Sequence, residues 1–159
     1  MASVTPAGFV RHGSVYVDRT IDRDFTKAET YLRGDAVERG IFDKLEGAAK
    51  RLYVVGNARD DDHFDANANA VFWDPHSALR TTQGGGQSPA LGLGHELDHA
   101  ACASAARAIR AATPDVDYQN KEERRVIRGS EAHAAATLGE SSRYDHAGRT
   151  YRVASPLAH

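Results

Sequence analysis

The sequence predicts a single α+β domain in which a small mixed or antiparallel sheet packs on helices. Three observations lead there. Short runs such as "SVYV", "RLYVVG" and "AVFW" concentrate Val, Tyr and Phe over strand-like lengths. Other segments carry apolar residues at steps of three or four, the helical period. The length of 159 residues suits one hydrophobic core and is short for two.

Along the chain, residues 1–13 read as a flexible N-terminal tail and residues 14–159 as the domain. "SVYVDRT" alternates Val15 and Val17 as a short strand would. In "GDAVERGIFDKLEGAAKRL", Val37, Ile41, Leu45, Ala49 and Leu52 share one helical face, with Asp35 as N-cap. "RLYVVGN" reads as a strand, "RDDDHFDANAN" as a loop and "AVFWDP" as a strand that Pro75 ends. The three glycines at 84–86 make a long connection, either a solvated linker or a loop beside a cleft. Ser88 and Pro89 form an N-cap and N1 pair for a helix expected to reach about Ala112. A further helix covers "NKEERRVI" from a cap at Asn120; Gly129 interrupts it, and "EAHAAATL" continues. "SSRYDHAGRTYRVAS" has the pattern of a hairpin.

Composition removes several function classes. With 20 Lys and Arg against 22 Asp and Glu there is no bulk field to recruit nucleic acid or an anionic membrane. The one cysteine, Cys102, rules out an internal disulfide and cysteine-type zinc sites, and is expected to face the core without reactive thiol chemistry. No apolar run approaches a membrane span, and "MASVTPAGFVRHGS" lacks the apolar core of a Sec signal.

The chemistry concentrates in "HELDH". His95 and His99 are four residues apart, so on a helix both imidazoles project from one face and can bind one Zn²⁺. Glu96 then lies beside the metal as a general base for an activated water. Asp98 falls on another side and is expected to be solvated. A catalytic zinc takes a third protein ligand, for which Glu122, Glu123, Glu131, His133 and His146 are downstream candidates. The Glu122-Glu123 pair is favoured, since a helix after "TPDVDYQN" can fold back on the motif, whereas His133 suits a packed polar role. Arg143 and Tyr144 are candidate donors to the oxyanion of a tetrahedral intermediate, with a structural ion pair as the other reading of Arg143.

"SPALGLGHELDHA" followed by "NKEERRVIRGSEAHAAATLGESSRYDHAGRTYRV" resembles the NleD-type effector peptidases, zincins that bacteria deliver into host cells through type III secretion. The resemblance spans roughly residues 69–153 and implies a zincin-like domain with Zn²⁺ on His95, His99 and the Glu-Glu pair. The pair is also similar to that of clostridial neurotoxin light chains, which favours Glu122 as ligand. The resemblance further implies a monomeric zinc metalloendopeptidase, secreted into the host cytoplasm, that acts on an intracellular signalling protein such as a kinase. "AVFWDP" is then expected to be the edge strand along which substrate lies. Two other readings remain open: a non-catalytic zinc-stabilised binding module, and a zinc hydrolase toxin with a non-peptide substrate.

Overall fold

The computed structural model describes residues 4–159. Strands β1 (Phe9–His12), β2 (Val15–Asp18), β3 (Leu52–Gly56), β4 (His63–Asp65) and β5 (Ala70–Trp73) form one sheet in the order β1-β2-β3-β5-β4. Its centre is parallel and both outer pairings are antiparallel. The protein is therefore mixed α+β, as expected. Alternation fixes which face is covered: Val15, Val17, Leu52, Val54, Val71 and Trp73 point into the main core, while Tyr16 and Tyr53, opposite each other in register, meet on the other face.

Helices α1 (Asp22–Leu32), α2 (Ala36–Glu46) and α3 (Pro89–Ala101) cover the apolar face with Phe25, Leu32, Phe42, Leu93 and Leu97. Truncating a fully buried leucine of this kind costs about 2–5 kcal/mol. The expected caps form: Asp35 accepts from the amides of Val37 and Glu38, and Ser88 from that of Leu91. Helix α1 has no counterpart among the sequence expectations, because Ile21 offers no capping side chain and Thr26 and Thr30 dilute the apolar pattern. Three short strands, β6 (Ser77–Arg80), β7 (Gly86–Gln87) and β10 (Arg149–Arg152), make a second sheet in the order β10-β6-β7.

Several expectations are corrected. The tail ends as strand β1, because Gly13, at φ +60, turns the chain back onto β2 and Phe9 packs edge-on against Tyr53. Residues 1–3 lie outside the described residues. "AVFWDP" is interior, since β4, hidden in the expected loop, pairs its outer side and is itself the edge. The triple glycine closes the β6–β7 hairpin, with Gly84 at φ +90. The motif helix stops at Ala101: Cys102 is extended, Arg107 donates to the carbonyls of His99 and Cys102, and a separate helix α4 (Ser104–Ala111) follows. The C-terminal hairpin is absent; β10 pairs with β6, while residues before it are held by Arg143 on Glu131 and by the His146 amide on the Asp117 carbonyl. Among the described residues no helix is long and apolar enough to cross a membrane.

Helix α3 is buried on nearly every side from Pro89 to His99. Gly94 allows this, since a Cβ there would stand 2.8 Å from a carboxylate oxygen of Glu38 on α2. Glu38 itself is 0 % exposed, and neither of its oxygens has a hydrogen-bond partner. Burial, reinforced by Asp98 and Asp35, pushes its carboxyl up from 4.5 to about 8. A carboxyl raised on folding keeps a proton that the unfolded chain gives up. Its contribution to stability is thus fully present below about 4.5 and lost as pH rises through about 8. Glu38→Met should raise the melting temperature, by a larger margin at about pH 8 than at about pH 5. Equal shifts at both values, read by thermal denaturation, would count against an ionisation penalty at this site.

Candidate metal centre

Two helices face each other at the centre. α3 presents His95 and His99 one turn apart, with ring centroids 4.8 Å from each other. Opposite stands α5 (Lys121–Val126), which is entered from a two-stranded ribbon, β8 (Pro114–Asp115) and β9 (Gln119–Asn120), and capped by Asn120 on the amide of Glu123. α5 runs into a π-helical turn at 127–131 with non-helical backbone at Gly129, and then into α6 (Ala132–Leu138).

The Nε2 atoms of the two histidines are 3.1 Å apart, and the carboxylate of Glu123 lies 2.9 Å from that of His95 and 3.2 Å from that of His99. Three N and O donors at ~2.1 Å from a tetrahedral ion stand about 3.4 Å from one another, close to these separations. His95, His99 and Glu123 can therefore hold a metal ion. The far side of each ring is also engaged. His95 Nδ1 meets Glu131 at 2.7 Å and His99 Nδ1 meets Glu122 at 3.2 Å. A carboxylate only accepts, so each Nδ1 carries a hydrogen, and in the neutral ring each Nε2 then turns a lone pair inward.

The supporting carboxylates are supported in turn. Glu131, 2 % exposed, accepts from Arg143 at 2.8 and 2.9 Å and from Gln87 at 2.9 Å. Glu122 accepts from Arg110 at 2.6 Å and Arg125 at 2.7 Å. Arg125 also donates to Asp98, which takes a second hydrogen bond from Ser130. Burial works to raise Glu131, but His95 and Arg143 outweigh it and hold the carboxyl at about 2. Against the same opposition His99, Arg125 and Arg110 keep Glu122 well below the usual range, and His146, His95 and His99 do so for Glu123. Burial would lower His95, yet Glu123 and Glu131 raise it to about 10.

Glu96 is nearly buried, with a carboxylate oxygen 3.9 Å from His95 Nε2. It borders two cavities that share Asp62, Glu96 and His146 and so meet over the centre. The larger, about 610 Å³, is also lined by Phe64 of β4 and by Arg107, whose guanidinium lies 4.8 Å above the Phe64 ring. The smaller is about 210 Å³. Burial pushes the Asp62 carboxyl up to about 8, against the Asp74 amide that lowers it and with Glu96 adding to the rise.

Of the sequence candidates, His95, Glu96, His99, Glu122 and Glu123 converge. It is Glu123, not the favoured Glu122, that reaches the Nε2 atoms, because Glu122 is held by two arginines at the Nδ1 side of His99. Glu131 likewise belongs behind His95. His146 stands 3.4 Å from Glu123 at the cleft rim, and His133 lies away on Asp35. Arg143 is an ion-pair partner of Glu131 with one nitrogen 3.4 Å from His95 Nδ1, so it steadies the ligand, and it also lines the smaller cavity. Tyr144 is 66 % exposed and lines neither cavity. Asp98 is buried, contrary to expectation, through Arg125 and Ser130, and Cys102 is partly exposed beside Arg110. Gln87, Asp62, Arg110 and Arg125 are additions that no motif spacing signals.

Comparison with protein-family models, with curated proteins and with solved structures gave no match.

Elemental analysis after dialysis should find about one divalent ion per chain, lost in His99→Ala and Glu123→Ala. Glu122→Ala should still bind the ion, about 10- to 100-fold more weakly. Loss in Glu122→Ala with full retention in Glu123→Ala would reverse the ligand assignment.

Proposed function

We propose that the chain is a zinc-dependent endopeptidase. The observation that carries this reading is the inward meeting of two imidazole Nε2 atoms and one carboxylate, with Glu96 beside them at the junction of two cavities. Two nitrogens and one oxygen with a fourth position left open suit catalytic zinc. When bound, zinc lowers the pKa of a water toward ~7 and polarises a carbonyl.

The remaining steps belong to the chain. Glu131 and Glu122 orient the ligand rings through their Nδ1 hydrogens, so little rearrangement accompanies the reaction. Glu96 takes a proton from the attacking water and passes it to the departing amine. The edge strand β4 lends His63 and Phe64 to the larger cavity, which offers an extended peptide a strand to pair with. His146, at the rim shared by both cavities, is the better side-chain donor toward a developing oxyanion now that Arg143 is occupied and Tyr144 exposed. The resemblance to NleD-type effectors extends the reading to an intracellular host protein as substrate, reached by type III secretion.

The test is mass spectrometry of new peptide termini in a host-cell lysate treated with the zinc-loaded protein and with Glu96→Gln. The unaltered protein should generate discrete new termini, and Glu96→Gln should lose about 10²- to 10⁴-fold in rate while retaining its metal. Metal retention without cleavage by either protein would favour a binding module or a hydrolase of other substrates.

A further inference from the structure

Behind the metal centre, facing away from the cleft, an open groove of about 560 Å³ is lined by Arg110, Lys121, Arg124, Arg125, Arg128 and Gly129. No carboxylate lines it, although the chain as a whole carries a net charge of -2. The four cations from Lys121 to Arg128 sit at i, i+3, i+4 and i+7, the spacing of a single helical face, and Arg110 at the end of α4 closes the groove opposite them. Like charges at these spacings repel, so this face is stabilised by an anion that spans them.

The internal partners do not use up the charge. Arg110 and Arg125 pair with Glu122, Arg125 also with Asp98, and Arg124 with Asp115. Glu122 and Asp98 are buried beneath the cations. Lys121 and Arg128 are exposed and have no ion-pair partner among the described residues. Five cations against three carboxylates leave an excess of two positive charges in one concavity. At the helix break, a Cβ on Gly129 would meet nothing within 4 Å, so the groove stays open along the backbone.

We infer that this groove binds a small ligand carrying two or more phosphate groups. Four of the five cations are arginines, whose planar guanidinium groups match phosphate oxygens two at a time. The groove has the volume of a small-molecule site rather than the length of a backbone track, which favours a compact polyphosphate over a nucleic acid. This assignment stands apart from the peptidase reading, because it rests on no residue that reaches the metal and is read by binding alone.

Isothermal titration calorimetry at low ionic strength, with inorganic tripolyphosphate as probe, tests it on the unaltered protein and on the double variant Lys121→Ser, Arg128→Ser. Both substituted side chains are exposed and unpaired, so the fold should be indifferent to their loss. Saturable binding, weaker for inorganic phosphate and fading as salt rises, should drop about tenfold in the double variant. Identical heats from both proteins would overturn the inference, since capture of the bound metal by the probe would produce them. So would tighter binding of a single-stranded oligonucleotide, which would give the face to nucleic acid.

Discussion

Three lone pairs aimed at one point are the constraint on which the rest of this structure depends. With Glu131 and Glu122 accepting the Nδ1 hydrogens, the neutral rings of His95 and His99 turn lone pairs toward each other, and Glu123 adds a third. Such a meeting is repulsive unless a positive charge lies within it. A hydrogen-bonded histidine pair in an ordinary core would alternate donor and acceptor. Here the alternation is defeated by the surrounding carboxylates, and those carboxylates are themselves locked by Arg110, Arg125 and Arg143. The ordering runs outward from the centre in shells of alternating charge, with an arginine against each of Glu131, Glu122 and Asp98.

The scaffold meets the demand for precision by burying the helix that carries the ligands. α3 lies against α1 and α2 on one side and the π-helical turn on another, and Trp73 of β5 donates its indole hydrogen to the Pro89 carbonyl at the start of that helix. Asp35 caps α2 with one oxygen and receives His133 and Thr137 of α6 with the other, tying the helix that carries Glu38 to the one that follows Glu131. The exception is Glu38, a carboxyl with no partner pressed against Gly94. A buried carboxyl without a partner costs stability, and its distance along the chain from the motif hides it from any local pattern.

What was legible in the sequence follows the range of the interaction that sets it. Asp35, Ser88 and Asn120 are readable as caps because a cap is decided within three residues. The HExxH spacing is readable because one helical turn separates its histidines. By contrast, α3 and α4 read as one helix, since an alanine-rich run is helical on either side of Cys102 and the break depends on Arg107 reaching back to two carbonyls. Strand β4 lies among Asp and Asn residues that favour turns, and β10 reads locally as half of a hairpin, whereas its partner, β6, lies some seventy residues away. The choice between Glu122 and Glu123 was closed to sequence reasoning for a similar reason: adjacent residues on a helix differ by about 100° in direction, and only the arginines of α4 and α5 decide which one is turned from the metal.

The π-helical turn at 127–131 bears on how this centre is inherited. On a straight α-helix Glu122 and Glu131, nine positions apart, would project about 180° from each other. Here both reach imidazoles of the same helix, His99 and His95, because the wider turn and the break at Gly129 shift the phase between them. The site is thus encoded in the angular phase of a helix as much as in its residue types. Deleting one residue from that turn would leave every ligand in the chain and carry Glu131 away from His95, so the length of the turn is constrained as closely as the identity of Glu131 itself.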